Sequence, residues 1–556
     1  MFVDTQLYNV YMSSKHIKKH EIWYNIVMEN NTKTTKTIEI SVAEYERLKN
    51  SEEELRQRVG LLEEALRLTK RKQFGSSSEK ISPETKAQLI YLFDEAETVL
   101  AIEDIITEQE ETKVAAHTRK KKTYLLHDKL PDNVEIEVIE HKLNEAERNC
   151  PECGAVMQEI GQDVRRKLVI IPAKVKVLEH HIYSYACQAC KQNNIETPVT
   201  KAEKETALIP GGFATPEAVA YIITQKFIMG SPLYRQEQEW KNQGIELSRQ
   251  TMSNWMLKCV ELYFESLYER LHEKLLQRDV LHADETTLQV LKEFDKPASS
   301  KSYMWLYRTG SDAEYPIVLY NYQSGRGKEY PQEFLKGYKG YLQTDGYSVY
   351  HDLSQNITDV GCWAHLRRKL DEARVALPKG KSAAMSAVTN ALGIFTKIYK
   401  IEKQLAKLSF AERYTKRLEQ EKPLLDELFA WAKNLNAAPK SALGKALIYL
   451  ENQKPYLMNY LKDGRLEIDN NRAERSIKPF VIGRKNFLFA NTPRGAQGSA
   501  IIYSLVETAK ENRLDPFKYL VHVLSTAKKI DLSQKDSVDL LLPENAPAEC
   551  SVNFKK

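Results

Sequence analysis

Hydrophobic positions change their spacing several times along the chain, and each change predicts a new element. From about Val42 to Leu68 the spacing is helical: Leu48, Leu55 and Leu62 lie seven residues apart, with Tyr45, Val59 and Leu66 between them. A heptad seam of this length predicts a short coiled coil over 42–80, or else one amphipathic helix packed on its own domain. It stops in RKQFGSSSEK, Arg71–Lys80, where a glycine and three serines break the helix. The first 27 residues show neither period, so 1–41 reads as an extension without regular structure, with Met1 and Met28 as alternative starts. After the seam, the acidic stretch Asp94–Glu111 and the basic run Arg119–Lys122 are opposed charge blocks of a solvated linker over 81–125.

A second change comes at KLVIIPAKVKVLEHHIYSYAC, where alternating Val, Ile and Tyr predict strands. This segment separates CPEC, with Cys150 and Cys153, from CQAC, with Cys187 and Cys190. Two such turns offer four thiolates to one ion and predict a zinc ribbon over 126–205. Four sulfur ligands leave no open position for water, so the expected Zn²⁺ is structural. A redox role would need only one CxxC beside a βαβ unit.

From Thr215 to Cys259 the spacing is helical again. Ser231-Pro232 signals a helix start, Gly244 a tight turn, and Ser248 an N-cap for a helix through Trp255. That is the outline of a helix-turn-helix within 206–275, and Arg249, Gln250, Ser253 and Asn254 are its candidate base readers.

The segment 276–515 changes character once more. DVLHADETTLQVL, SYMWLYRT and YPIVLYNY predict three strands, followed by a helix near Glu329–Lys339 and the strand GYLQTDGYSVY. A short helix, a strand through Val360 and a helix from near Trp363 complete the pattern. This succession predicts a ribonuclease H-like α/β core. Arg374–Leu461 reads as a helical insertion at about 374–461, and 516–556 as helical segments and a tail. The whole chain is thus expected to be multidomain α/β.

Two acids interrupt the apolar strands: Asp284 in LHADETTL and Asp345 in LQTDGYS. A carboxylate in a buried strand is costly unless paired or bound to metal. If their strands are neighbours, the two suit Mg²⁺ or Mn²⁺, which prefer oxygen ligands. A third acid, Glu474 in DNNRAERSIKPF, is expected on a short helix capped by Asp469 and ended by Pro479. Arg472, Arg475 and Lys478 surround it, as suits an acid working at a phosphodiester. Two ions held by three carboxylates can activate a water or 3′ hydroxyl and stabilise the departing oxygen. Glu285 is the alternative inward residue on the first strand.

Composition narrows the partners. With 42% hydrophobic and 28% charged residues the chain can build cores, and no apolar run reaches membrane-spanning length. A net charge of +5 permits a nucleic-acid partner without demanding one. Seven cysteines, four of them in the two CxxC pairs, fit a reducing compartment.

Taken in order, QFGSSSEK, CPECG, CQAC, PLYRQEQEWKNQGIELSRQTMSNW, ADETTLQVL, LQTDGYSVY, CWAHLRRKL and DNNRAERSIKPFVIGRKNFLFANTPRGA resemble the insertion sequence 66 family of bacterial DDE transposases. The resemblance runs from about Glu44 to Leu542 and places the family's catalytic triad on Asp284, Asp345 and Glu474. It implies cleavage and strand transfer of DNA with two Mg²⁺ or Mn²⁺ ions, and binding to an element's terminal repeats. It also implies a homo-oligomer held by the coiled coil, small accessory proteins, a cytoplasmic, nucleoid-associated location and no membrane partner. Arg367, Arg368 and Lys369 in CWAHLRRKL, with Arg484 and Lys485, become candidate phosphate contacts, and Arg494–Gly498 a glycine-rich turn near DNA. The alternatives are a non-catalytic DNA-binding regulator and a nuclease that cuts without joining.

Overall fold

The computed structural model describes residues 9–18, 21–29, 35–74, 137–140, 155–156, 175–187, 199–377 and 383–552. The chain falls into two compact units, Met1–Thr107 with Tyr341–Asn471, and Glu108–Gly340 with Arg472–Lys556. The first opens with strands β1 (Asn9–Lys18), β2 (Glu21–Glu29) and β3 (Thr35–Ser41) and helix α1 (Val42–Phe74). In the second come β4 (Ser184–Ala186) and β5 (Val199–Lys201), then helices α2 (Pro216–Phe227), α3 (Leu233–Asn242), α4 (Arg249–Cys259) and α5 (Glu265–Leu275). Strands β6 (Val280–Gln289), β7 (Lys301–Thr309) and β8 (Val318–Gln323) and helix α6 (Glu329–Phe334) follow. Strand β9 (Gly340–Gln343) leads into the first unit, which adds β10 (Ile357–Val360) and helix α7 (Trp363–Ala376). Its remaining helices are α8 (Ala383–Leu405), α9 (Phe410–Gln420), α10 (Lys422–Lys433) and α11 (Ala442–Leu457). The second unit closes with α12 (Asn471–Phe487), α13 (Pro493–Glu511), α14 (Pro516–Ala527) and α15 (Lys535–Asp539). The order of strands and helices from β6 to α7 is the one the sequence predicts.

Strands β1, β2 and β3 correct the reading of 1–41 as an extension without regular structure: they form an antiparallel sheet in the order β1-β2-β3. The register lines up Met12, Ile26 and Ile38 across the three strands. A register shift between Met12 and Lys15 interrupts the alternation within β1, which hides the period of two from the sequence. Helix α1 runs unbroken from Val42 to Phe74. Leu48, Leu55 and Leu62 are each more than half exposed on it. Near its C-terminal end, Glu64 accepts the Ala442 amide at 3.1 Å, and Arg67 donates to the Ala376 carbonyl at 2.5 Å. The helix therefore touches its own unit and leaves the leucine seam in solvent.

The helical insertion is α8 to α11, and among its buried apolar side chains it holds one ionic cluster. Arg417, fully buried, bonds Glu402 through Nε at 2.5 Å and Nη2 at 2.9 Å, and Arg413 reaches the same carboxylate. Burial alone would raise Glu402, but the two guanidiniums outweigh it and hold this carboxyl below its ordinary value. Glu421 lies beside the pair and accepts the Tyr460 hydroxyl at 2.9 Å. Burial first, and then the charge of Glu402, push its carboxyl up to about 8. A carboxyl raised on folding holds its proton better in the folded state, so its contribution is full below about pH 4.5 and is lost as pH rises towards 8. The stability of this unit is therefore expected to fall by an order of a few kcal/mol between about pH 5 and pH 8. Glu421→Gln should flatten that slope in urea unfolding; a slope unchanged by the substitution would assign it to other groups.

In the second unit β6, β7 and β8 form an antiparallel meander, with Asp284 opposite Leu306 and Leu306 opposite Tyr320. One edge of β8 is closed by α13. The Val318 and Tyr320 amides donate to the Thr508 and Ser504 hydroxyls, at 3.0 and 2.8 Å. Four residues of helix rise about 6 Å, nearly matching two residues of strand. Hydroxyls four apart therefore meet alternate strand amides and satisfy an otherwise open edge.

Candidate metal centre and nucleic-acid interface

Asp284 lies on β6, half exposed, and its Oδ1 accepts the Glu285 amide at 2.8 Å. Helix α12 packs on the same face of the meander. Arg308, opposite His282 in the register, donates to the Ser476 hydroxyl and, at 3.4 Å, to the Arg472 carbonyl. Tyr320, in line with Asp284 through Leu306, donates to the Ser476 carbonyl. Further along, Arg484 donates to Thr286 Oγ1 at 3.2 Å and to Thr287. Glu474 stands in the first turn of α12, half exposed, between Arg472 and Ser476. Asp284 and Glu474 thus belong to facing elements of one unit.

Alternation along a strand turns Glu285 to the other face. There its side chain is 1% exposed and paired with Arg326, whose Nε lies 2.9 Å away. A carboxylate already matched to a guanidinium is the poorer metal ligand, which favours Asp284. Asp345 follows β9 in the first unit, half exposed, and its Oδ1 accepts the Tyr347 amide at 2.9 Å. Carboxylate oxygens reachable from solvent are the donor type that Mg²⁺ and Mn²⁺ favour. Among the described residues, no group of three or more His, Cys, Asp and Glu side chains stands together in a metal-holding arrangement.

Two local expectations need correction. Pro479 does not end the helix of Glu474 but lies inside α12, which continues to Phe487. The missing amide withdraws the helical donor from the Arg475 carbonyl, and the helix is held across the proline by the burial of Ala473, Ile477 and Phe480. Asp469 does serve the helix start, accepting the Asn471 amide at 3.1 Å. Arg494–Gly498 is no glycine-rich turn: it forms the first turns of α13, capped by Thr492. Arg494 there pairs with Glu261.

The helix pair takes the expected form. Gly244, at φ +77°, makes the turn after α3, and the Ser248 hydroxyl caps α4 by accepting the Thr251 amide at 3.1 Å. Met252, Trp255, Met256 and Cys259 bury one side of α4. Arg249, Gln250 and Asn254 are exposed, Ser253 half so, and Gln250 donates to Asn254 at 3.1 Å. Of the other basic candidates, Arg368, Arg475 and Lys485 are exposed and Arg472, Lys478 and Lys369 half exposed. Lys369 lies 5.0 Å from the Tyr449 ring centre. Arg367 is half buried, and Arg484 is engaged with β6. Cys187, just after β4, is exposed, whereas Cys150, Cys153 and Cys190 and the linker 81–125 lie outside the described residues. Sequence reasoning missed Arg308, although an arginine directly after the apolar and aromatic run YMWLY was a visible signal of a buried partner.

Residues 211–498 match the family described as Transposase IS66 family, which carries the DDE domain. Residues 147–191 match the zinc-finger binding domain of transposase IS66, and 504–543 the IS66 C-terminal element. Residues 61–139 match a family described as Transposase C of IS166 homeodomain. An uncharacterised protein of Sinorhizobium fredii, y4qI, is 31% identical over 503 residues, covering 87% of this chain and 89% of that protein. A second from the same organism, y4hP, is 28% identical over 463 residues, covering 78% of this chain and 81% of its own length. The class is that of the DDE transposases, enzymes that process DNA. Within it, the chain belongs to the IS66 transposase family.

Proposed function

We propose that the chain binds the terminal repeats of its insertion sequence and cuts and rejoins DNA, with Asp284, Asp345 and Glu474 holding two Mg²⁺ or Mn²⁺ ions. The observation that carries this reading is the packing of the Glu474 helix on the face of β6 that bears Asp284. The strand and helix order from β6 to α7 suits a ribonuclease H-like core. When bound, the ions would activate water or a 3′ hydroxyl and stabilise the departing oxygen. The chain's own part is to hold ligands and DNA in place. Arg308 fixes the start of α12, Arg475 and Lys478 offer cations beside Glu474, and Arg249, Gln250, Ser253 and Asn254 read base edges in the major groove. The purified protein is expected to cut a fragment carrying the element's end in Mg²⁺; an intact fragment in both Mg²⁺ and Mn²⁺ would remove this reading. Its DNA partners would be the element and target DNA of a bacterial nucleoid in the cytoplasm, with small accessory proteins of the element as further partners.

Cys150, Cys153, Cys187 and Cys190 would share one structural Zn²⁺. Metal analysis should find one zinc per chain, and chelation should loosen this module and leave the catalytic core folded, because structural zinc contributes folding energy locally. Four readily alkylated thiols in protein that never met a chelator would contradict it. The exposed seam of Leu48, Leu55 and Leu62 would join protomers so that both DNA ends are held together. Polar residues at Leu55 and Leu62 should lower the mass in solution, and an unchanged mass would leave α1 as a helix of its own unit alone.

A further inference from the structure

We propose that α11, the last helix of the insertion, positions the Asp345 carboxylate, a role that rests on Asp345 being a metal ligand. Asp345 stands on a loop after β9, where its direction depends on the torsions of two successive peptides. Both of their carbonyls are held from α11. The Tyr449 hydroxyl donates to the Asp345 carbonyl at 3.2 Å, and Gln453 Nε2 donates to the Gly346 carbonyl at 3.2 Å.

The rest of the loop closes a circuit through the same glutamine. The Gly346 amide donates to Thr344 Oγ1 at 3.4 Å, and that hydroxyl donates to Asp359 Oδ1 at 2.9 Å. His351 Nδ1 lies 2.6 Å from Asp359 Oδ2, and its Nε2 lies 3.3 Å from Gln453 Nε2. With Gln453 donating, the consistent tautomer carries its proton on Nδ1 and gives it to Asp359. The imidazole is stacked on Tyr456, also of α11, at 3.8 Å and 3°. Gly346 is needed twice. Its φ is +85°, and a Cβ there would lie 2.9 Å from Gln453 Oε1 and 3.0 Å from the Tyr449 hydroxyl.

Tyr449 and Gln453 sit more than a hundred residues after the acid they serve, which gives the insertion a part in the site. They are positioning residues: they touch the backbone of the ligand-bearing loop and not the reacting atoms. Outer groups of this kind typically change metal affinity by about 10–100-fold when removed.

The test uses the full-length protein, with Tyr449→Phe losing a single oxygen and Gln453→Leu losing the link to Gly346 and His351. Mn²⁺ binding is titrated directly without DNA, hydrogen exchange is followed at the Gly346–His351 amides, and cleavage is measured against Mg²⁺. Each variant is expected to bind Mn²⁺ about 10-fold more weakly and to need about 10-fold more Mg²⁺ for half-maximal cleavage. Exchange in the loop should quicken, binding to the element's ends should stay the same, and high Mg²⁺ should restore most of the cleavage. Asp345→Ala is run alongside. If it lowers Mn²⁺ affinity while Tyr449→Phe matches the wild type in both affinity and exchange, the positioning role is overturned. If Asp345→Ala itself leaves Mn²⁺ affinity unchanged, what fails is the assignment of Asp345 as a ligand.

Discussion

Replacing Asp284, Asp345 or Glu474 by Ala is expected to abolish DNA cleavage and joining, each change alone, with binding to the element's ends kept. Affinity and chemistry would separate because Lys and Arg at phosphates supply most of the binding free energy, whereas under the proposed function the carboxylates serve the ions. Removing a negative side chain from a DNA-facing site should tighten binding slightly, if it changes it at all. Glu285→Gln makes the contrasting control on the same strand. Its side chain is buried against Arg326 on the far face of β6, so it should cost stability and leave cleavage by the folded protein near that of wild type. Gel-shift and cleavage assays at matched salt read both quantities. A dead Glu285→Gln protein beside an active Asp284→Ala protein would reverse the assignment of faces.

Arg308→Met is expected to produce the second-largest effect, on stability and cleavage together. Arg308 is 1% exposed, and its guanidinium joins Glu511 at 2.9 and 3.2 Å, the Ser476 hydroxyl and the Arg472 carbonyl. Burial would raise the Glu511 carboxyl, but Arg308 outweighs it and holds the group below its ordinary value. Removing one partner of such a buried pair commonly costs about 3–5 kcal/mol. Glu511 retains some solvent, which points to the lower part of that range. Because Arg308 also ties down the first turns of α12, cleavage should fall at temperatures where the variant is still folded. Denaturant unfolding and cleavage by the folded fraction measure the two parts. Full activity in a destabilised variant would make Arg308 a purely structural residue.

The catalytic region was legible because its strands are short, apolar and separated by turn residues. β6, β7, β8, β9 and β10 each fall where the alternation or apolar run places them. The helix pair α3 and α4 was legible for a local reason, since Ser248 as cap and Gly244 as turn act within a few residues. Other features depended on contacts far apart in the chain. The strands of residues 9–41 emerge only when a bulged β1 meets β2. Pro479 looks like a helix end until the buried face of α12 is in view. Motifs nominate Asp284, Asp345 and Glu474 as candidate ligands, but the groups packed around them could not be named that way. Ser476 meets Arg308 across 168 residues, and Tyr449 meets Asp345 across 104. The sequence signals at most that Arg308 needs a buried partner, and it carries no trace of which residues form such pairs.

The most direct measurement follows a labelled DNA fragment bearing the element's end, incubated with the purified wild-type protein and Mg²⁺ and resolved under denaturing conditions. Strands ending in free 3′ hydroxyls are expected, then longer strands joined to target DNA, all suppressed by EDTA and none attached to protein. Cutting that persists in EDTA, or a DNA strand left covalently linked to the protein, would contradict metal-dependent transfer by these carboxylates.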